Sequence, residues 1–228
     1  MPNILYRFIF TLALLLPMAA QASDAGDFVA ASSAQQAELL ETWAAQPVAS
    51  RIGLITALQE GRVAADSSKR AYIETADQYV AVDAADVPAT DEPRKLRLNN
   101  RLRGLVETAL ASHQLLADDA KLRLAAALQL QKSARPALLP FLSLQLAEEK
   151  DDDVHDALTM ALANLQLVDS SPTVRLAAVR LLGETGEPLA RTRLETLLQP
   201  DVETDATVRT AAETSLAQVT RQLLIGDL

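Results

Sequence analysis

The chain has 228 residues, of which 49% are hydrophobic and 4% aromatic, and its formal net charge at pH 7 is −9. An acidic chain of this kind is a poor ligand for nucleic acids and for anionic membranes. It contains no cysteine, which excludes disulfide bonds and thiolate chemistry, so a packed core must supply the stability. A core rich in alanine and leucine is typical of helices that pack through small side chains.

The N-terminus has the three parts of a secretory signal peptide. A single cation, Arg7, precedes an apolar run over residues 8–16, and Pro17 is followed by the small residues of an A-x-A cleavage site at 20–22. The apolar run is shorter than the roughly 20 residues that span a bilayer, which disfavours an uncleaved anchor. We therefore predict a signal peptide over residues 1–22, cleavage between Ala22 and Ser23, and export to the periplasm.

A helical hairpin and a short β-hairpin are predicted next. Apolar residues at helical spacing on either side of Pro47 indicate two helices within residues 23–61. The segments AYI and QYVAV flank residues 74–77 as two short strands flank a turn. Residues 62–92 are therefore predicted to form a β-hairpin and an exposed linker that is rich in proline and acidic residues.

The segment RKLRLNNRLR at residues 94–103 is interpreted as the beginning of a long helix, because its leucines continue into an apolar stripe at helical spacing. Asparagine is a poor helix former, so two adjacent asparagines inside a helix indicate a contact that requires them. We predict that they bind a neighbouring loop within the domain or face a partner. The surrounding cations form either a solvated face or a binding site for an acidic partner. The candidate interaction residues are Arg94, Arg97, Asn99, Asn100 and Arg101.

The C-terminal half repeats one motif. The pattern LRLAA at 122–126 recurs as VRLAA at 174–178 and VRTAA at 208–212, with a weaker copy, VHDAL, at 154–158. The intervals are 32, 20 and 34 residues, and only the longer ones accommodate two short helices, so one repeat is predicted to be incomplete. The repeated arginines are predicted to tie neighbouring repeats together through nearby acids. Residues 93–228 should form a long helix followed by HEAT-like repeats, in a mostly all-α fold.

No group of residues points to catalysis or to a metal site. His113, interpreted as a surface residue, and His155, interpreted as a degenerate copy of the repeated arginine, lie on different predicted helices without carboxylate partners at a signature spacing. A nucleophile elbow and a phosphate-binding loop are both missing from the sequence. The acids at 151–153 suit a helix N-terminus and lack the spacing of a calcium loop. We predict a non-enzymatic protein without a cofactor.

Three segments together resemble one protein family. They are RVAADSSKRAYIE with YVAV, RKLRLNNRLR, and DAKLRLAAALQLQKSARPALLPFL, in this order. The resemblance is to the exported N-terminal region of the urea ABC-transporter permease, within the branched-chain amino-acid permease group, and it covers about residues 27–224. It implies a periplasmic domain at the outer face of the inner membrane. In that family the domain takes part in urea transport beside permease subunits and a periplasmic urea-binding protein.

The resemblance leaves several alternatives open. The sequence stops at about the place where the family's first membrane helix begins, so we expect a fragment, an interrupted frame or a separately encoded domain. Docking of the binding protein and pairing of permeases are both compatible with it, and no residue is assigned to a urea site. The alternative function is a stand-alone periplasmic HEAT-repeat adaptor.

Overall fold

The computed structural model describes residues 18–76, 78–82 and 91–226. These residues are mostly helical and contain one small antiparallel sheet, which confirms the predicted all-α fold with a short β insertion. The helices are α1 (Met18–Ala30), α2 (Ser33–Ala45), α3 (Ile52–Gln59), α4 (Asn100–Gln114), α5 (Ala120–Ser133), α6 (Leu139–Glu148), α7 (Asp152–Gln166), α8 (Pro172–Glu184), α9 (Pro188–Leu197) and α10 (Ala206–Gly226). The strands are β1 (Val63–Ala65), β2 (Ala71–Glu74), β3 (Tyr79–Ala81) and β4 (Arg94–Lys95).

The first four helices form an N-terminal bundle in which α2 and α3 pack against α4. A capping box at Ser32 and Gln35 fixes the start of α2, because it satisfies backbone N–H groups that the first turn leaves free. Trp43 lies in the core with its ring centroid 5.5 Å from that of Phe28. Arg51 covers the indole at 5.1 Å and binds Asp24 at 2.8 Å. The aromatic pair thus joins α1 to α2, and the ion pair joins α1 to the segment before α3.

The predicted cleavage site falls at the beginning of this bundle. The apolar run at 8–16 lies outside the described residues, whereas Ala22 and Ser23 lie within α1. Asp24 and Phe28, which contact α2 and the segment before α3, come after the predicted cleavage point. Cleavage there would leave these contacts in the mature chain.

The sheet has the strand order β3-β2-β1-β4 with every neighbouring pair antiparallel. The predicted hairpin is present as β2 and β3, in which Ile73 lies opposite Val80. Strands β1 and β4 were not predicted, and they extend the sheet through pairs such as Val63 with Ile73 and Ala64 with Lys95. The tight turn between β1 and β2 is built on Asp66, whose carboxylate accepts hydrogen bonds from two backbone N–H groups and from the Tyr72 hydroxyl.

The long helix predicted to begin at residue 93 begins later than predicted. Residues 94–95 are a strand, residues 96–99 are not helical, and α4 begins only at Asn100. The leucines of this segment have helical spacing, but pairing of β4 with β1 satisfies the backbone in another way. Local helix propensity is overruled here by a tertiary contact.

Helices α5 to α10 form a stack. Helices α5, α7, α8 and α10 pack side by side in chain order, while the short helices α6 and α9 pack against the longer helices that follow them. The interval of 20 residues contains α7 alone, as the sequence predicts for an incomplete repeat. One apolar cluster runs from α1 to α7 and a second from α7 to α10, so α7 contributes buried residues to both. Among the described residues no helix combines the length and the apolar character needed to cross a membrane.

Candidate interaction surface

The segment RKLRLNNRLR passes from the sheet to a helix. Its first two residues pair with β1, and the backbone N–H of Leu96 donates to the carbonyl of Val63 at 2.9 Å. Leu96 and Leu98 are half-buried, whereas Arg97 between them is exposed. The strand therefore fixes the segment at one end and α4 fixes it at the other, which holds its charged residues on a rigid support.

The two asparagines have different surroundings. Asn99 is the N-cap of α4, and its Oδ1 accepts a hydrogen bond from the backbone N–H of Leu102 at 2.9 Å. This corrects the interpretation of an asparagine pair inside a helix, because asparagine is a preferred residue at the N-cap. Asn100 is the exposed first residue of α4, and its side chain has no hydrogen bond to any described residue. Asn99 is explained by local structure, and Asn100 is free to contact a partner.

Four exposed arginines surround these asparagines, and we refer to them as the arginine cluster. None of the four has an ion pair or a side-chain hydrogen bond to a residue in the described ranges 18–76, 78–82 and 91–226. Lys95 differs, since its Nζ lies 2.6 Å from Glu74 and this hydrogen bond raises the pKa of the lysine. The cluster consists of Arg94, Arg97, Arg101 and Arg103.

Two members of the cluster line a cleft of about 820 Å³ between the end of α3 and the β4–α4 connection. Its apolar lining comes from buried Leu58 and Val106 together with the half-buried leucines of the connection. Arg97 and Arg103 supply cations to it, and Glu60 and Glu107 supply carboxylates. The cleft thus offers an apolar contact within a charged rim, which is the general anatomy of a protein interface.

The prediction that His113 lies on the surface was wrong, because the residue is buried. Only 2% of the residue is exposed, and its Nδ1 lies 2.7 Å from the carbonyl oxygen of Ala109. Its Nε2 has no hydrogen-bond partner among the described residues. Burial lowers the pKa of the ring to about 4, so the neutral form is the one that the fold accepts. Its place is in the bundle core, away from any cleft described above.

The repeated arginines form two equivalent contacts, which we call clamps. In the first clamp Arg123 binds the carboxylate of Glu149 through two hydrogen bonds of 2.8 Å and also donates to the carbonyls of Ala117 and Asp118. In the second, Arg175 binds Glu203 at 2.7 and 2.9 Å. It also donates to the carbonyls of Asp169 and Ser170, the residues six and five positions before it.

Both clamps join the first helix of a repeat to the turn before a later helix. The hydrogen bonds from the arginines lower the pKa of Glu149 and of Glu203 to about 2. His155, at the arginine position of the incomplete repeat, is exposed and lies 3.7 Å from Asp156. The clamps therefore act inside the stack, as the sequence predicted for Arg123 and Arg175. The third copy, Arg209, donates to the backbone carbonyls of Glu203 and Leu198 and has no carboxylate partner among the described residues.

The acids at 151–153 lie at the start of α7, where Asp151 accepts a hydrogen bond from the backbone N–H of Val154 at 3.1 Å. The described residues contain no group of three or more histidine, cysteine, aspartate or glutamate side chains that could hold a metal ion. The exposed arginines and the adjoining cleft are thus the part of the N-terminal region with the clearest capacity for recognition.

Comparisons with protein families, with characterised proteins and with solved structures found no match for this chain. The resemblance to the urea permease region therefore stays a prediction.

Proposed function

We propose that the chain is a non-enzymatic interaction domain of a urea-type ABC-transporter permease, placed in the periplasm at the outer face of the inner membrane. It takes part in urea transport by contacting permease subunits or the periplasmic urea-binding protein. The observation that carries the interaction role is the arginine cluster, four exposed cations without a carboxylate partner among the described residues. The transporter assignment is supported by the order of the hairpin, RKLRLNNRLR and the repeats.

Charge balance makes the cluster informative. The chain has 30 acidic and 21 basic side chains, so carboxylates are abundant. Three arginines elsewhere in the chain use them, since Arg51, Arg123 and Arg175 each bind one at 2.7–2.8 Å. Four exposed arginines within ten residues keep a local positive field on an otherwise negative molecule, and such a field attracts an acidic partner and orients it during encounter.

The support under the cluster suits this role. Strand β4 and the Asn99 cap fix the backbone on both sides of Arg97, so little conformational entropy is lost when a partner binds. Arginine is also the cation most often found among the residues that dominate binding energy, because its planar guanidinium pairs with carboxylates through two hydrogen bonds. An acidic surface with an apolar centre is the partner that this arrangement fits.

The test is urea uptake by the complete transporter that carries Arg97→Ala and Arg101→Ala in this domain. We expect uptake and association with the urea-binding protein or the permease partner to fall by about tenfold at low salt. The difference from the unchanged transporter should shrink as salt is raised, because salt screens the attraction that the two arginines supply. The matched control is Arg180→Ala with Arg193→Ala, which removes the same charge from exposed positions of α8 and α9. Equal effects of the two double variants, or no effect of the first, would overturn the interaction role of the cluster.

Translation of the DNA beyond the codon for Leu228 would distinguish the permease domain from the stand-alone adaptor. If translation continued past Leu228 into an apolar segment of about 20 residues, the permease assignment would be supported. If no such segment followed in any frame, the stand-alone adaptor would be the better assignment, and the same cluster would then serve a different acidic partner.

A further inference from the structure

Strand β4 forms an open edge of the sheet. It lies at one end of the order β3-β2-β1-β4, so β1 is its single neighbour among the described strands. The backbone N–H of Leu96 donates to the carbonyl of Val63. Successive residues of an antiparallel strand direct their N–H and C=O groups to opposite sides, so those of Lys95 and Arg97 point away from β1. The backbone of Arg97 has no hydrogen bond to a described residue.

The side chains along this edge alternate as they do in a strand. Leu96 and Leu98 are half-buried against the apolar cluster of the bundle, whereas Lys95 and Arg97 are exposed. Lys95 is bound to Glu74, so Arg97 and not Lys95 lacks a carboxylate partner in the part of the chain that the structure describes. A strand placed beside β4 would therefore set an apolar side chain next to Leu96 and the neighbouring side chain next to the free guanidinium of Arg97.

Charge selects the kind of strand that fits this edge. Cationic residues on an edge strand keep it from pairing with its own copies, because like charges opposite each other destabilise a strand pair. Pairing of β4 with β4 of a second copy would bring two such cationic edges together. Carboxylates are attracted instead, both by Arg94 and Arg97 and by Arg101 and Arg103 at the start of α4. The occupant that this edge favours is thus an acidic segment.

We propose that an extended acidic segment of the partner adds to β4 as a fifth antiparallel strand. Its main chain bonds to the outward N–H and C=O groups of Lys95 and Arg97, one of its carboxylates pairs with the Arg97 guanidinium, and an adjacent apolar residue contacts Leu96. This inference rests on the interaction role proposed for the arginine cluster. It adds that the partner is recognised as a strand in which acidic and apolar residues alternate.

The probe is a synthetic peptide in which glutamate alternates with valine, titrated into the full chain labelled at its backbone nitrogens. We expect saturable binding, a downfield shift of the Arg97 N–H signal and slower exchange of that proton with solvent. A peptide with lysine in place of glutamate should not bind, and its binding would overturn the choice of an acidic occupant. If the Arg97 N–H were already protected in the free chain, another segment of the chain would occupy the edge, and the proposal would be overturned.

Methylation of peptide nitrogens separates strand addition from attraction between charges. When a glutamate is opposite Arg97 in an antiparallel pair, the glutamate amides face β4 and the valine amides face away. Methyl groups on two central glutamate nitrogens should therefore weaken binding by about tenfold, whereas methyl groups on two central valine nitrogens should leave it unchanged. Equal binding of the two methylated peptides, or a loss with the valine-methylated peptide alone, would overturn strand addition.

Variants of the chain show whether this inference and the proposed function fail together. Arg97→Ala should weaken binding of the unmethylated peptide roughly tenfold, while Arg180→Ala, at an exposed position of α8, should leave it unchanged. Lack of binding at millimolar peptide, or equal binding by the two variants, would overturn the docked strand. The interaction role of the arginine cluster would still stand if Arg97→Ala with Arg101→Ala lowered urea uptake, so the two proposals can fail separately.

Discussion

Two groups of arginines, one inside the helical stack and one on the surface of the N-terminal bundle, are used in opposite ways. In the stack, Arg123 and Arg175 are half-buried, bind a glutamate through two hydrogen bonds each, and hold backbone carbonyls. On the bundle, the four arginines of the cluster are exposed and have no partner among the described residues. An arginine that is fully occupied inside the fold holds a scaffold together, whereas an arginine with free donors on a rigid support is available for recognition.

The largest effect should come from removing both clamps. Glu149→Ala with Glu203→Ala takes the carboxylates from two clamps that share no residue, so the losses should add to about 4 kcal/mol of unfolding free energy. This figure is below that of two deeply buried ion pairs, because both arginines keep access to water. Denaturant titration of the mature chain measures it.

Glu195→Ala is the matched control for the clamps. It breaks an ion pair whose side chains are about half exposed, and the loss should stay within about 0.5 kcal/mol. If all three Glu→Ala substitutions lowered the unfolding free energy equally, the distinction between occupied and available arginines would not hold.

The second largest effect is a pH dependence that belongs to the bundle. The pKa of His113 is about 4 in the folded chain and near 6.5 when unfolded, so the unfolded state binds the extra proton between these values. The contribution of the neutral ring is therefore complete above pH 6.5 and is lost progressively as the pH falls towards 4, by about 2–3 kcal/mol. Thermal unfolding followed from pH 7 to 4 measures the loss.

The glutamates of the clamps act in a lower window. Their pKa values of about 2 lie below the ordinary value of 4.5, so their contribution is complete above pH 4.5 and is lost as the pH falls towards 2. His113→Phe should remove the loss of stability between pH 6.5 and 4 and leave the loss below 4.5 in place. His155→Phe, at an exposed position, should change neither of these two losses of stability. If both histidine variants behaved alike, burial of His113 would not be the cause of the loss between pH 6.5 and 4.

A smaller effect should follow from adding a methyl group at the close contact between α8 and α10. A Cβ added at Gly183 would lie 2.6 Å from Oγ and 2.8 Å from Cβ of Ser215, so Gly183→Ala forces the two helices apart at a cost of about 1–2 kcal/mol. Gly104→Ala on α4 meets no atom within 4 Å and should stabilise the chain by up to about 1 kcal/mol through helix propensity. Calorimetry of the two variants compares them, and a stabilising Gly183→Ala would mean that the stack packs more loosely than described.

The smallest effect separates the two asparagines. Asn99→Ala removes the N-cap bond to Leu102 and should lower the unfolding free energy by about 1 kcal/mol. Asn100→Ala removes no bond to a described residue and should leave stability unchanged or slightly higher. Denaturant midpoints of the single variants decide between them, and equal losses would show that Asn100 also holds the fold.

The stack was predictable from the sequence because its contacts connect neighbouring elements along the chain. Repetition of VRLAA located the beginnings of α5, α7, α8 and α10, and the interval of 20 residues located the incomplete repeat. The glutamate partners were not identified, although the recurrence of Glu-x-Asp at 149–151 and 203–205 was a usable signal. A repeat fixes its partners at similar sequence distances, and that regularity can be read without a structure.

The bundle was less predictable because a distant contact decides its local structure. Strand β4 has two polar residues, and its partner β1 lies about 30 positions earlier, so nothing local separates RKLRLNNRLR from a helix. The cap was readable, since asparagine precedes the buried Leu102 at the N-cap spacing. His113 was readable too, because it continues the stripe of Leu102, Val106 and Ala109.

Helix α7 contributes buried residues to both apolar clusters, so it connects the two parts of the chain during unfolding. Val154, Leu158 and Ala161 belong to the cluster that extends back to α1, whereas Met160 and Ala163 belong to the cluster that extends forward to α10. Opening of the last three helices would expose one side of α7 while its other side stays packed. Amide hydrogen exchange should therefore resolve two foldons that meet at α7, with its N–H groups as slow to exchange as those of the more stable unit.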